Sequence, residues 1–299
     1  KIVFYPLVIL RAKFKSIVEE DKELVNELNY QQELLNNLNQ QMLDDTIKGK
    51  ISATWRNDNP DIESAKEFLN RINIEKEQLI KDKVIKKQPS LDPVNPKDLF
   101  PLPNKWEWCR LGDIAQIKGG KRVSNGYKLL KTPTPHIYIR VSDMKDRTIS
   151  DSNLHYIDNE MHQKIKNYII TKNDLFIVIV GATIGKCGLV PEQFDGMNLT
   201  ENAARIIPHK VDKDYLLWLL NSDFCQKQFI DRTKRVGVQK MALNRLMTTV
   251  LPIPPLEEQK VIVKKFTDLL SVSEQLKKII SKNRISAALL MQAVLKEEF

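Results

Sequence analysis

The stretch Leu24-Val-Asn-Glu-Leu28-Asn-Tyr-Gln-Gln-Glu-Leu-Leu35-Asn-Asn-Leu38-Asn-Gln-Gln-Met42 decides the fold class. Leu24, Leu28, Leu35, Leu38 and Met42 recur at intervals of four and three, with Gln31 in the gap position. That is a coiled-coil seam, in which a polar residue can fix register at some cost in stability. Residues 16–48 hold no Pro or Gly, and Gly49 stands where a left-handed cap would end the helix. The same spacing returns near the C-terminus in Ile262, Phe266, Leu269, Leu276, Ile280, Ala287, Leu290 and Val294, with Ser273 and Asn283 as polar gaps. Neither stripe is stable when exposed. The expectation is two long helices, 16–48 and 256–295, that pair with each other as an antiparallel coiled coil or with other chains.

Between them the character changes twice. Asn59-Pro60, a cap residue followed by Pro, predicts the start of a second helix with Ile62, Ala65, Leu69 and Ile72 on one face. Glu67/Arg71 and Glu77/Lys81 are spaced on it for i,i+4 pairs. Five prolines from Pro89 to Pro103 then read as a linker. Beyond it, β-type runs such as His136-Ile-Tyr-Ile-Arg-Val141 and Asp174-Leu-Phe-Ile-Val-Ile-Val180 alternate with Gly- and Asn-rich turns, and a helix is expected over 213–230. Pro252, Pro254 and Pro255 close this part. The predicted class is α+β, a mixed domain flanked by long helices. The predicted boundaries are a helical region at 1–88, a Pro-rich linker at 89–103, the mixed domain at 104–255 and a C-terminal helix at 256–299.

The apolar run Ile2 to Leu10 is too short to cross a bilayer, and Ala12-Lys13 is no signal cleavage site, so it reads as a core strand or docking segment. Cys109, Cys187 and Cys225 are odd in number and far apart, which argues against a disulfide scaffold. With no Cys-x-x-Cys, no zinc site of familiar spacing is expected either. The expectation is a cytoplasmic, metal-free chain that has no membrane segment and needs no cofactor.

Catalytic motifs fail on inspection. Gly181-Ala-Thr-Ile-Gly-Lys-Cys187 has three residues between its glycines and Cys after the Lys, where a phosphate loop needs four and Ser or Thr. It reads as a tight strand-to-strand turn with a Lys at its tip. Glu258-Gln259-Lys260 has the spacing of a nuclease metal motif but falls on the first turn of a helix, where Glu257 and Glu258 suit the dipole. No Ser/His/Asp arrangement is visible.

Charge placement is more informative. The chain carries 47 Lys and Arg against 38 Asp and Glu, a net +9 that suits a polyanionic partner. Residues 114–142 contain Lys118, Lys121, Arg122, Lys128, Lys131 and Arg140 and not one acid. Residues 224–256 carry Lys227, Arg232, Lys234, Arg235, Lys240 and Arg245 against Asp231 alone. Gly, Asn and Gln are interleaved, as in Gly119-Gly120-Lys121-Arg122 and Arg235-Val-Gly237-Val-Gln239-Lys240. Lys and Arg neutralise phosphates, Arg, Asn and Gln can read base edges, and Gly lets backbone approach a duplex. On composition alone a solvated basic face on a coiled-coil scaffold is an equal alternative.

A family resemblance breaks the tie. Leu251-Pro-Ile-Pro-Pro-Leu-Glu-Glu-Gln259, running into a heptad helix, resembles the type I restriction–modification specificity subunit. Leu102-Pro-Asn-Lys-Trp106-Glu-Trp108-Cys-Arg-Leu-Gly-Asp-Ile114 resembles the opening of that family's target recognition domain. Leu43-Asp-Asp-Thr-Ile-Lys-Gly-Lys-Ile-Ser-Ala-Thr-Trp-Arg56 matches the end of its central region. Gly181 to Lys186 is similar to its internal turn, and Gly237-x-Gln239 to a turn shortly before its conserved helix. The resemblance covers residues 20–299. It implies a non-catalytic DNA reader whose helices dock methyltransferase (modification) subunits that use S-adenosylmethionine, within a complex that adds an ATP-dependent restriction and translocase subunit. The specificity half of another type of restriction system would share these features. The DNA-contacting candidates are Lys118, Lys121, Arg122, Lys128, Arg140, Lys186, Arg235, Gln239 and Lys240. A complete family member has two recognition domains and this chain holds one, so the resemblance implies self-association of a half-length subunit or a second domain upstream.

Overall fold

A computed structural model describes residues 4–233 and 240–298. They fall into two compact units, Lys1–Met42 with Lys265–Phe299, and Leu43–Lys264. The structure thus divides the chain differently from the 1–88, 104–255 and 256–299 boundaries read from composition. Residues 43–88 share a core with the mixed domain, because Ile47, Phe68 and Ile72 pack in the same apolar cluster as Trp106, Leu111 and Leu216.

The smaller unit is built from residues 4–42 of α1 (Phe4–Ile47) and residues 265–298 of the long C-terminal helix (Leu256–Glu298). The segment Ile2 to Leu10, expected to be a core strand or a docking segment, is helical from Phe4 onward, so the strand alternative is wrong. A short, continuous apolar run cannot by itself distinguish strand from helix. Leu28 and Leu35 are buried together with Ile280, and Arg284 donates to Asn29 Oδ1 at 2.6 Å. Leu24 shares a groove with Ala287 and Leu290, and Leu35 one with Leu276 and Ile280. Rising numbers on one helix meet falling numbers on the other, so the pair is antiparallel.

The seam is only partly the predicted one. Leu28, Leu35, Phe266, Ser273, Ile280 and Ala287 are buried and Met42 is half-buried. Leu24, Leu38, Leu269, Leu276 and Leu290 are exposed by more than two-fifths of their surface. In their place the stripe passes through the half-buried Asn39, Leu270 and Met291. Each helix carries an apolar band wider than a two-residue seam, and a single partner helix covers only part of it.

In the larger unit, Gly49 caps α1 with φ +68°, while Lys50 N–H bonds back to Asp45 O at 2.9 Å. A short α2 (Ala53–Asp58) follows. The next helix, α3 (Ala65–Lys81), does not start at Asn59-Pro60, since Asn59 ends α2. It starts at Ser64, whose hydroxyl and Glu67 form a reciprocal capping box. Glu67 being so engaged, Arg71 pairs with Glu63 instead, at 2.7 Å. The Pro-rich stretch is a strap rather than a free linker: Leu91, Phe100 and Leu102 pack on the main core, and Phe100 meets Trp108 edge-on at 4.9 Å.

Two four-stranded sheets organise the rest. One has β1 (Ala115–Gly119), β2 (Ala203–Pro208), β3 (Leu175–Val178) and β4 (Cys187–Leu189) as antiparallel neighbours in that order. The central β3 is buried on both faces: Leu175 and Ile177 enter the main cluster, Phe176 and Val178 a second one. The other sheet places β5 (His136–Ile139) parallel to β6 (Met197–Leu199). The expected 213–230 helix is two, α4 (Lys213–Leu220) and α5 (Asp223–Thr233). Asp212 caps the first, and Ser222 Oγ accepts from Cys225 N–H at the start of the second. Finally Val250–Ile253 pairs antiparallel with Glu107–Arg110, which places Pro252 opposite Trp108.

Candidate nucleic-acid interface

The geometry of the first sheet gathers residues that are far apart in sequence. Gly119 at the end of β1 pairs with Ala204, and Ala203 pairs with Val178. Past these ends, Gly120 N–H bonds to Ala203 O at 3.0 Å and Lys121 N–H to Leu199 O at 2.9 Å. Ile179 N–H bonds to Asn202 O at 2.9 Å, and Val180 forms a bridge with Lys240. One end of one sheet therefore carries Lys121 and Arg122, the 200–202 turn, the Gly181–Lys186 turn and Lys240. This is the candidate interface.

Backbone requirements explain the glycines. A Cβ on Gly120 would run into the backbone oxygens of Leu199 and Thr200. Gly181 and Gly185 adopt φ of +100° and +89°, and a Cβ on Gly185 would crowd the side chain of Gln226 at 2.8 Å. Gly181 to Lys186 is thus the tight turn between β3 and β4 that its spacing suggested, with Lys186 exposed.

The predicted DNA residues separate by environment. Lys121, Lys186 and Lys240 are exposed at this sheet end, without an ion-pair partner among the described residues. Lys121 Nζ lies 5.6 Å from the Tyr168 ring. Arg122 is exposed but held, its Nε donating to Glu201 Oε1 at 2.6 Å. Lys118 projects from β1 opposite Arg205, and burial together with that neighbouring cation lowers its pKa. Lys128 is exposed on the 120–135 segment. Arg140 is committed to structure: it donates to both oxygens of Asp143, at 3.1 and 2.6 Å, and to Asn153 O at 2.7 Å. With all these donors spent inside the fold, Arg140 has little to offer a phosphate. Arg235 and Gln239 lie outside the described residues.

Sequence reading missed Glu201, the acid that serves the acid-free 114–142 segment from 79 positions away. Its Oε2 accepts from Thr200 Oγ1 at 3.1 Å and faces the Tyr138 hydroxyl at 3.3 Å. Burial works to raise the Glu201 pKa, but hydrogen bonds from Arg122 and Thr200 outweigh it and leave the carboxyl below its usual range. Burial pushes the Tyr138 phenol up to about 12. Nothing local in the sequence marks this pairing.

Glu258 is also more than a dipole-matched acid. It is fully buried, accepting from Ser52 Oγ at 2.7 Å, Arg56 Nη1 at 2.5 Å and Trp106 Nε1 at 2.9 Å. Gln259 beside it donates to Pro254 O at 3.0 Å and accepts from Asp212 N–H at 2.9 Å. The motifs around Arg56, Trp106 and Glu258 thus meet in one polar cluster. All three cysteines are buried free thiols, and burial pushes the Cys109 and Cys187 thiols up, away from reactivity. Among the described residues no group of His, Cys, Asp and Glu is placed to hold a metal, and no helix is long and apolar enough to cross a membrane.

Comparison with known proteins agrees with this architecture. The type I restriction enzyme EcoAI specificity subunit of Escherichia coli is 31% identical over 256 residues, 81% of this chain and 41% of that protein. The EcoBI specificity subunit of Escherichia coli is 29% identical over 209 residues, 66% of this chain and 42% of that protein. The chain therefore spans about two-fifths of the length of these curated relatives. A chain solved in work on assembly and conformational transition of the type I restriction–modification system shares its fold, with a TM-score of 0.56 at 16% identity, over 94% of this chain and 59% of that one. Residues 103–285 match the type I restriction modification DNA specificity domain, and the chain belongs to that family.

Proposed function

We propose that this chain is the DNA sequence-recognition part of a type I restriction–modification specificity subunit, with no catalysis of its own. The observation that carries the reading is the sheet end that brings Lys121, Arg122, Lys186 and Lys240 together within a specificity-domain chain. Such a cluster neutralises phosphates, while the Gly-built turns allow close approach to a duplex. The helical pair is the docking element for a methyltransferase subunit. In support, Leu34, Leu38, Leu276 and Ile279 stay exposed along a groove lined almost wholly by apolar residues. S-adenosylmethionine and ATP are used by the methyltransferase and the restriction and translocase partners of a cytoplasmic complex. One recognition domain reads one half of a split DNA site, with the other half read by a second copy or by a second domain of the same subunit.

The test is a charge reversal. Lys121→Glu with Arg122→Glu should abolish duplex binding by the complex with the methyltransferase while leaving that complex assembled. Wild-type affinity should fall steeply with salt, by about 0.9 of a logarithmic unit per phosphate contact for each tenfold rise. A double variant that assembles and still directs methylation at the wild-type rate would show that this surface does not bind DNA.

A further inference from the structure

The pairing of Arg122 with Glu201 does not look like a device for stability. The Arg122 side chain is 70% exposed, and ion pairs at such positions contribute little to folding. The carboxylate is nevertheless built in with care. Thr200 Oγ1 donates to it, the Tyr138 hydroxyl sits between it and Lys121 O at 2.9 Å, and Tyr138 itself is buried. The backbone leading to Arg122 is pinned through Gly120 and Lys121, where only Gly fits at position 120.

The contact uses Nε and not the ends of the guanidinium. A carboxylate holding Nε leaves Nη1 and Nη2 of this exposed side chain as two parallel donors with no hydrogen-bond partner among the described residues. That fork matches the O6 and N7 acceptors of guanine in the major groove, the commonest specific contact of Arg with DNA. A carboxylate beside a DNA surface repels phosphates, so in a site built for phosphates alone it would only weaken binding. Its presence is accounted for if it orients a base-reading Arg and reduces the side-chain freedom lost on binding.

We propose that Arg122 reads a G·C pair of the recognised sequence and that Glu201 is its positioning residue. This rests on the DNA-recognition reading above and names the residue pair that sets part of its specificity.

The experiment uses the complex with the methyltransferase, assembled on the full chain as wild type, Arg122→Lys and Glu201→Gln. Each selects from a pool of random-sequence duplex DNA. Each is then titrated across a salt series on the duplex that wild type enriches and on a shuffled duplex of the same composition. Wild type should enrich a motif containing a G·C pair, and both variants should lose preference at that same pair. For each variant the ratio of selected to shuffled affinity should drop about tenfold, the size of one bidentate contact. Arg122→Lys should keep its affinity for the shuffled duplex and its salt slope, because the charge is retained. An Arg122→Lys pool with the motif intact would overturn the proposal, as would a wild-type motif with no G·C pair. Glu201→Gln tightening both duplexes alike, with the motif unchanged, would reduce Glu201 to a repulsive bystander and also overturn it. Failure of wild type to enrich any motif would instead sink the DNA-recognition reading, and this proposal with it.

Discussion

Removing Arg56 should unsettle the whole larger unit, although the residue lies 202 positions from Glu258, the acid it pairs with. Arg56 is the charged partner of Glu258, whose side chain is fully buried while that of Arg56 is 15% exposed. Breaking a buried pair by deleting one member leaves an uncompensated charge and costs about 3–5 kcal/mol. Arg56→Ala should fall near the lower end, about 3 kcal/mol, since Ser52 Oγ and Trp106 Nε1 continue to donate to the carboxylate. Glu258→Gln keeps the shape but loses charge-assisted bonds, and should cost about 1.5–3 kcal/mol. The two losses should fall short of additive in the double variant, because each removes the same interaction. Urea unfolding followed by Trp fluorescence is the direct assay. Trp55, Trp106, Trp108 and Trp218 all lie within Leu43–Lys264, so the signal reports that unit alone. A loss of 3 kcal/mol corresponds to a fall of about 6–12 °C in Tm for a domain of this size. Losses below about 0.5 kcal/mol for both single variants, or strict additivity, would refute the view that this cluster clamps the unit.

Three further predictions concern separate parts of the molecule. Gly120→Ala should weaken DNA binding and lower stability, because its Cβ meets backbone oxygens that cannot swing aside; binding and thermal unfolding indistinguishable from wild type would contradict this. Leu35→Asp should cost about 2–4 kcal/mol by putting a charge into the buried seam, so circular dichroism should show the long helices melting earlier; unchanged melting would place Leu35 outside a packed contact. His209 should make stability fall with acidity. Burial, then the Lys76 cation, lowers its pKa in the folded state, so the unfolded chain takes up a proton first as pH drops through about 6.5. Stability is then full above that range and is lost below it. His209→Gln should flatten the decline in urea midpoint between pH 7.5 and 5.5, and an unchanged slope would exclude His209 as its source.

The two long helices and their antiparallel pairing were legible in the sequence because a stripe repeated over many turns has few other ways to be buried. The α+β class, the cap at Gly49 and the Gly181–Lys186 turn were equally legible, since each depends on local spacing or on φ values that glycine favours. Local rules failed where two signals competed. Asn59-Pro60 and Ser64-x-x-Glu67 both mark helix starts, and only the second sits where Phe68 and Ile72 can reach the core. Doubled leucines such as Leu34-Leu35 and Leu269-Leu270 left the seam ambiguous by one residue, and packing resolved it.

What the sequence determined by itself was the inventory: two seam helices, a mixed domain between them, and basic segments rich in glycine. Tertiary structure decided which members of that inventory meet. It brought Glu201 to Arg122 across 79 positions, spent Arg140 on Asp143, and joined Arg56, Trp106 and Glu258 in one buried cluster. The reason is physical. Helix periodicity and turn conformation are set by neighbours a few bonds away, whereas the partner of a charge is set by strand pairing, which brings together residues that no local pattern connects.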